Sequence, residues 1–282
     1  MHALVRLHDA PDATARTNGK RLLRSAVHCI HRIDATTEVD AVLTDRPIAS
    51  YLGTLSSTAD LAVIGGHESG LVRDRLFGRN AHRIVAVSRC PVVVWRPHSA
   101  PLTRAGAVIV EIDRSDASGR AAALAFSFAH IMKSTLIAVH VGTEQHHTRN
   151  VGESGVEIDD CSLEWLRSRI EPLQQRHPTV GVHIHCLQAP MEAVLRHASS
   201  NAELVVVDYH DRRMVGAAMR ESITEQLVHS ARCPMLVVHR ARVKRPRSPD
   251  GCVATSHVPL SQLPDSGDDS MLGIRDACEE TP

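Results

Sequence analysis

In the middle of the chain, short apolar runs alternate with longer segments of helical character. Residues 107–112 are rich in β-branched side chains, as in a buried strand, and residues 116–132, rich in Ala, Leu and Phe, predict a helix. The alternation continues with predicted strands at 136–141, 180–186, 204–207 and 235–238 and predicted helices at 163–175, 191–199 and 222–230. Strands separated by helices pair in parallel through right-handed crossovers. The pattern predicts an open, doubly wound α/β sheet, which binds ligands at the carboxyl ends of its strands.

An internal repeat extends this prediction to the first part of the chain. Residues 59–97 align without a gap on residues 202–240, at a displacement of 143 positions. The matched residues include Arg89-Cys90-Pro91 with Arg232-Cys233-Pro234, His67 with His210, Pro47 with Pro190 and Leu52 with Leu195. A register shared over this length predicts two tandem domains of one fold. We refer to them as the first and second repeats.

The first repeat is incomplete. Counting back from Pro47 predicts a strand at 38–43, a helix at 17–33 and a strand at 3–8, and leaves nothing for the strand and helix that open the second repeat. In the alternative reading, residues 3–8 are the first strand and an internal helix and strand are deleted. Either way, about 40 residues of the second repeat have no counterpart in the first. Two explanations stay open, a genuine truncation and a misassigned start.

The missing strand would leave a gap in the middle of the first sheet. Buried backbone groups without a partner cost about 1–3 kcal/mol each, so a neighbouring strand is expected to fill the gap. We therefore expect residues 3–8 to pair directly with residues 61–64, which gives a four-stranded first sheet and a five-stranded second one. The first domain is also expected to be the less stable of the two.

Three segments follow from these patterns. Residues 1–98 form an incomplete first domain and residues 106–240 a complete second one, joined by a linker that contains Pro and Ser. Residues 241–282 are rich in Pro, Ser and Asp and carry no periodicity, which predicts a disordered tail.

Composition removes several classes of function. The 32 basic and 32 acidic residues cancel, and the chain has only 3 Phe, 2 Trp and 2 Tyr, so no nucleic-acid partner is expected. The 7 cysteines are scattered without a C-x-x-C spacing, which excludes a disulfide framework and a zinc finger and indicates reduced thiols. A signal peptide and an apolar run of about 18 residues are both lacking, so we expect a cytoplasmic protein with no membrane partner.

The residues resemble the universal stress protein family in its tandem form. Ile112-Asp113-Arg114-Ser115 resembles the Val-Asp-Gly-Ser element that ends the family's first strand, and the closing strand of each repeat begins with Cys-Pro, at Cys90 and Cys233. The resemblance implies a Rossmann-like fold with strand order 3-2-1-4-5 and, in many members, ATP binding. It implies that Asp113, Ser115 and Val141 border an adenosine-sized pocket. The alternative for Asp113 is a cap or turn residue at the end of the strand.

The phosphate loop departs from the family pattern, in which the fourth strand runs into G-x2-G-x9-G-(S/T). The motif positions hold Gly65, Glu68, Gly78 and Arg79 in the first repeat, and Asp208, Asp211, Glu221 and Ser222 in the second. Glycine lets backbone N–H groups approach a phosphate closely, whereas a carboxylate adds bulk and like charge. One such pair of charges about 5 Å apart repels by roughly 3 kcal/mol at an effective dielectric constant near 20. ATP is therefore a possible but disfavoured cofactor of the second repeat, through Ser222.

The first repeat keeps more of the phosphate loop but lacks the rest of the site. Gly65, Gly78 and Arg79 suit a phosphate, yet the strand that carries the nucleoside-contacting Asp is missing.

Metal and catalytic motifs are not found in the sequence. Histidines occur in pairs such as His183 and His185, whereas a structural zinc site needs four ligands, so no metal site is expected. The P-loop, G-x-S-x-G and H-E-x-x-H motifs do not occur, and we find no nucleophile–base pair. No catalytic residue is expected.

The closing strands indicate how the chain makes contacts. Residues 92–95 and 235–238 are apolar at every position, and an apolar edge strand invites pairing with another edge. We expect them to pair antiparallel, either as an intramolecular pseudo-dimer or by self-association. The predicted function is a non-enzymatic, cytosolic stress-response protein with a degenerate nucleotide site that acts on a protein partner. The alternatives are an adenine-nucleotide sensor and a small nucleotide-dependent hydrolase or transferase.

Overall fold

The computed structural model describes residues 1–6, 13–44, 47–65, 81–95, 106–115, 118–141, 160–187, 189–209 and 223–239. These residues fall into two units, whose described parts run from 1 to 51 and from 52 to 239. The predicted linker and the predicted disordered tail lie outside the described residues.

The smaller unit is a strand, a helix and a second strand. Its elements are β1 (His2–Arg6), α1 (Ala13–Ile33), β2 (Asp40–Thr44) and the start of α2 (Ile48–Leu55). The two strands pair in parallel, from His2 opposite Asp40 to Arg6 opposite Thr44. Leu23 and Val27 lie one turn apart on α1, so both reach the same face and pack on Ala41 of β2. This confirms the predicted helix and strands of this segment.

The larger unit is built on one seven-stranded sheet. Its strands are β3 (Ala62–Gly65), β4 (Val92–Trp95), β5 (Ala107–Glu111), β6 (Thr135–Val141), β7 (Val182–Leu187), β8 (Ala202–Asp208) and β9 (Met235–Val238). Its helices are α3 (described over 81–87), α4 (Ser118–Met132), α5 (Asp160–Arg176), α6 (Met191–Ala198) and α7 (Ile223–Ser230). The strands are ordered β3-β4-β9-β8-β5-β6-β7.

The second repeat forms five parallel strands in the order that the family resemblance implies. Numbered from β5 within the repeat, the order β7-β6-β5-β8-β9 is 3-2-1-4-5, which confirms the prediction. Val108, Ile109 and Val110 of the central strand are all buried, because helices cover both faces of such a sheet. Small residues of α4, Ala121, Ala125 and Ala129, let this helix pack closely against the sheet around Phe126. The core of the chain lies here.

The closing strands β4 and β9 pair antiparallel within one chain, as predicted for these two apolar segments. Val93 lies opposite Leu236, with Val92–Val237 and Val94–Met235 on either side. Val93 and Leu236 are also equivalent positions of the repeat, since they are 143 residues apart. An approximate two-fold axis therefore passes between them and relates the strands β3 and β4 to β8 and β9.

Local geometry repeats together with the sequence. The Arg89 N–H donates to Ser56 Oγ at 3.0 Å, and the equivalent Arg232 N–H donates to Ser199 Oγ at the same distance. The two serine hydroxyls in turn donate to carbonyls three residues earlier, in α2 and α6 respectively. Both hydroxyls tie the end of a helix to the turn that precedes a closing strand, so the two repeats share one fold over this stretch.

The predicted pairing of residues 3–8 with residues 61–64 is wrong. The strand β1 pairs with β2, and in the part of the chain that the structure describes, β3 pairs only with β4. The order β1, α1, β2 corresponds to β6, α5, β7, whose two strands are neighbours with a parallel register. Because β1 is the counterpart of β6, its natural partner is β2. In place of a four-stranded first sheet and a five-stranded second one, β1 and β2 form a two-stranded sheet, and β3 and β4 extend the five strands of the second repeat to seven.

Candidate functional site

The candidate site lies where β5 and β8 end side by side. In a doubly wound sheet, ligands bind at the carboxyl ends of the strands where the strand order reverses, here between these two strands. Val110 pairs with Val206, so two residues further on Ile112 lies opposite Asp208. Asp113 follows directly. Two carboxylate residues, one from each strand, are thus carried to the same edge of the sheet.

Asp113 and Ser115, both predicted site residues, are brought together in a tight turn. The Asp113 carboxylate accepts hydrogen bonds from the Ser115 N–H at 2.9 Å and from the Ser115 hydroxyl at 2.5 Å. The Ser118 hydroxyl donates to the carbonyls of Asp113 and Ser115, both at 2.9 Å. These bonds lead the chain from β5 into α4, so the Asp113 side chain serves as a turn residue, a role typical of Asp.

Asp208 occupies the position at which the family pattern has its first glycine. It is the last residue of β8 and is only 3% exposed. The next residue, Tyr209, donates its N–H to the Val238 carbonyl at 2.8 Å, and its ring packs at a tilt on that of His239, with the ring centroids 5.0 Å apart. The backbone at the first position of the phosphate-loop sequence is therefore held against β9, and this position carries a buried carboxylate.

Val141 ends β6, beside a histidine that sequence reasoning missed. His140 is buried, and its Nδ1 lies 2.7 Å from the Ile112 carbonyl, so this nitrogen donates. Its ring packs on Trp165 of α5 at 5.0 Å, and the Arg114 guanidinium lies 5.1 Å from the Trp165 ring centroid. The available signal was one of only 2 tryptophans in the chain, placed on the helix that follows β6. His140 and Trp165 fix the ends of β5 and β6 against α5.

Of the remaining predicted site residues, the structure describes only Gly65. Gly65 ends β3 and is exposed, and a Cβ built there would lie 3.9 Å from the Trp95 carbonyl, so the position has room for a side chain. Gly78, Arg79 and Ser222 lie outside the described residues, as do Asp211, Glu68 and Glu221. The two phosphate loops are therefore represented by their first positions, Gly65 and Asp208.

A small cavity lies next to the Asp113 turn, between α4 and α5. It measures about 160 Å³, with Ile112, Ala122 and Leu173 as its apolar lining and Arg169 and Arg176 at its rim. Pockets for drug-sized ligands usually measure about 300–1,000 Å³. The cavity is too small for a nucleoside triphosphate.

Neither a metal centre nor a membrane span is found in the described part of the chain. There, no group of three or more His, Cys, Asp or Glu side chains is placed to hold a metal ion. None of the helices described is long and apolar enough to cross a bilayer.

The two cysteines that precede the closing strands are expected to be unreactive thiols. Cys90 and Cys233 are each 3% exposed, and burial raises the pKa of both thiols, that of Cys233 to about 12. Since the thiolate is the reactive form, we expect both to resist iodoacetamide at pH 8 in the folded protein, while the half-buried Cys29 and Cys186 are alkylated. Peptide-resolved mass spectrometry measures this, with a urea-unfolded sample as the control in which all four react. Rapid labelling of Cys233 in the folded chain would contradict it.

The fold is that of a Rossmann-like α/β protein, and the candidate site lies where its strand order reverses. Residues 106–239 match the model of the universal stress protein family. The match spans the second repeat, which is therefore a domain of this family.

Similar proteins agree with this assignment. The universal stress protein Rv2005c of Mycobacterium tuberculosis is 27% identical over 228 residues, which cover 79% of this chain and 75% of that protein. Another from the same organism, Rv2623, is 25% identical over 229 residues, 79% of this chain and 77% of that protein. A universal stress protein structure from Archaeoglobus fulgidus superposes with a TM-score of 0.57 at 15% identity, covering 85% of each chain. A Pseudomonas aeruginosa protein of unknown function, PA1789, gives 0.55 at 13%, covering 85% of this chain and 82% of that one. The two structures show the likeness of the fold alone.

Proposed function

We propose that this chain is a non-enzymatic, cytosolic stress-response protein that acts through contacts with other proteins, with a nucleotide site that no longer binds ATP in the second repeat. The observation that carries the proposal is the buried carboxylate of Asp208 at the switch point. A phosphate bound in the family manner needs backbone N–H groups at this place, which glycine permits.

The energies favour exclusion of a triphosphate. An ionised carboxylate about 5 Å from a phosphate charge repels it by roughly 3 kcal/mol at an effective dielectric constant near 20. A micromolar ligand is held by only about 8 kcal/mol. Asp211 and Glu221 add like charge in the same loop sequence, and three such pairs, about 9 kcal/mol together, suffice to cancel a typical affinity.

The disposition of reactive groups supports a non-enzymatic role. The His140 Nδ1 is committed to a backbone carbonyl, and the closing-turn thiols are buried. In the described residues, an imidazole meets a hydroxyl where His130 Nδ1 lies 3.1 Å from Thr179 Oγ1. This pair joins the end of α4 to the segment before β7, at the amino ends of the strands. Ligands of doubly wound sheets bind at the other end.

An adenine-nucleotide sensor is the second candidate. Asp113 and Val141 lie at the carboxyl ends of the neighbouring strands β5 and β6, an arrangement that suits the edge of a nucleoside. In this case the ligand is held by its nucleoside part, with little contribution from the phosphates. Adenosine and AMP then bind at least as well as ATP.

Calorimetry and thermal denaturation with MgATP, AMP and adenosine test the proposal. We expect no binding heat and no shift of Tm at millimolar MgATP. Ligand present at 100 times its Kd stabilises a protein by about 2.7 kcal/mol, which raises Tm by several degrees. Such a shift with MgATP would overturn the proposal. A shift with AMP and adenosine that is lost in Asp113→Ala, but kept in the control Asp60→Ala, would favour the sensor.

A further inference from the structure

The outer edge of β3 presents unpaired backbone groups. The Ala62 N–H donates to the Pro91 carbonyl at 2.9 Å, towards β4. Successive residues of a parallel strand direct their N–H and C=O groups to opposite sides, so those of Leu61, Val63 and Gly65 point away from β4. Over the described residues, no strand pairs with this side of β3. The outer N–H and C=O groups of β3 are therefore able to pair with one further strand.

The second repeat shows what covers the equivalent edge. Leu204 and Val206, the counterparts of Leu61 and Val63, pair with Val108 and Val110 of β5. The face that carries Val206 is then covered by α4, through side chains such as Phe126. The equivalent edge is thus closed by a strand and the helix that follows it.

Exposure differs sharply between the two repeats. Val63 is 65% exposed where Val206 is fully buried, and Leu61 is 39% exposed where Leu204 is 4% exposed. Trp95, opposite Gly65 in the β3–β4 register, is also 39% exposed. Leu61, Val63 and Trp95 lie on the sheet face that α4 covers in the second repeat, because Val93, which pairs with Val63, belongs to the same core as Phe126. We call these three residues and the outer backbone of β3 the β3 edge.

We propose that the β3 edge is a docking site for a strand–helix segment of a partner protein. The strand runs parallel to β3 in the place that β5 takes beside β8, and the helix covers Leu61, Val63 and Trp95 as α4 covers the second repeat. The strand is rich in β-branched residues, as β5 is, and the helix has small residues on its inner face, as α4 has. The inference rests on the proposed action through protein contacts and names the surface that makes one.

A second molecule of this chain fits the edge less well. An antiparallel pair of β3 strands related by a two-fold axis perpendicular to the sheet would satisfy the outer backbone groups. It would also place two copies of Val63 and Trp95 side by side on the same face, with no helix over either. The apolar face of each chain would stay without a covering helix, whereas a strand followed by a helix covers it. Both occupants would satisfy the outer backbone groups of β3. The exposed apolar side chains of the β3 edge therefore favour the strand–helix segment, because its helix covers them.

Residues 106–132 of this chain serve as the probe, fused to a soluble carrier and added to the full-length protein. These residues are β5 and α4, the pair that covers the equivalent edge. We expect saturable binding at one probe per chain, measured by fluorescence anisotropy, and slower amide exchange at residues 61–65. The carrier alone is the control for the probe.

Two variants of Val63 locate the binding. Val63→Pro removes an outward N–H and leaves the bonds of Ala62 to β4 in place, so the sheet is kept. Val63→Asp puts a charge on the apolar face. Both are expected to weaken binding by at least about tenfold, the effect of losing about 1.4 kcal/mol. The control Ile131→Asp changes another exposed apolar residue, on α4 of the full-length chain, and leaves binding unchanged.

Several results would overturn the inference. Absence of binding, equal binding by Val63→Pro, or protection at β7 in place of residues 61–65 would each do so. A concentration-dependent dimer of the chain alone, with protection at residues 61–65, would assign the edge to a second molecule. Binding of ATP is measured separately, so failure of the proposed function is distinguishable from failure at this edge.

Discussion

Amide hydrogen exchange across residues 1–45 should be at least about 100-fold faster than across residues 106–200, a difference of about 2.7 kcal/mol in opening free energy. The first segment holds two paired strands and one helix, with a core of Leu23, Val27, Ala41 and Val42. A two-stranded sheet is marginal by itself in water. The second segment contains the central strand β5 and the fully buried Phe126. Exchange followed by mass spectrometry measures both segments in one sample.

The variant Phe126→Ala calibrates this experiment. Truncating a fully buried Phe costs about 3–5 kcal/mol, because the cavity left behind is only partly refilled. Exchange across residues 106–200 should rise by the corresponding factor, while exchange across residues 1–45 stays nearly the same. Equal protection of the two segments in the unmodified chain would show that the smaller unit is stabilised by more than its own core.

The second repeat was predictable because buried parallel strands are recognisable as uninterrupted apolar runs. The segments predicted at 136–141 and 204–207 are the strands Thr135–Val141 and Ala202–Asp208 of the structure. The repeat then carried these assignments to β3 and β4, which lie 143 residues before parts of β8 and β9. Apolar character at every position also predicted the antiparallel β4–β9 pair.

The partner of β1 was not predictable by the same reasoning. Pairing of residues 3–8 with β3 is expected only if the edge of β3 has to be filled from within the first repeat. The alternative for β1 is β2, and the equivalent pair β6–β7 shows that two such strands have matching registers. An exposed edge costs little when water satisfies its groups, and Val63 is largely exposed. The penalty for buried unpaired groups therefore does not apply to this edge.

The part of the candidate site that escaped prediction depends on contacts between distant segments. Asp113 and Ser115 were predictable because their turn is local, closed by hydrogen bonds over two residues. His140 and Trp165 meet only because α5 returns to the end of β6 after an intervening segment. The periodicity of the sequence does not predict this contact between α5 and β6, and a single His at a strand end is common in buried cores.

Replacing both Asp208 and Asp211 with glycine is expected to create measurable ATP binding, with affinity raised by about 100-fold or more. Removing one charge about 5 Å from a phosphate relieves roughly 3 kcal/mol at an effective dielectric constant near 20, and each 1.4 kcal/mol is a factor of ten in Kd. Asp208 is the buried last residue of β8, and Asp211 lies in the loop sequence that follows, outside the described residues. Calorimetry with MgATP near pH 7.5 provides the measurement.

Single variants separate charge from bulk in this experiment. Asp208→Asn removes the charge and keeps the side-chain volume, so it should recover part of the gain if repulsion is the main barrier. Asp208→Gly also lets the backbone approach the phosphate and should recover more. Asp60→Gly removes an exposed carboxylate before β3 and serves as the control for net charge, with no gain expected. If the double variant binds ATP no better than the unmodified chain, the loop has lost its phosphate-binding geometry for reasons other than these carboxylates.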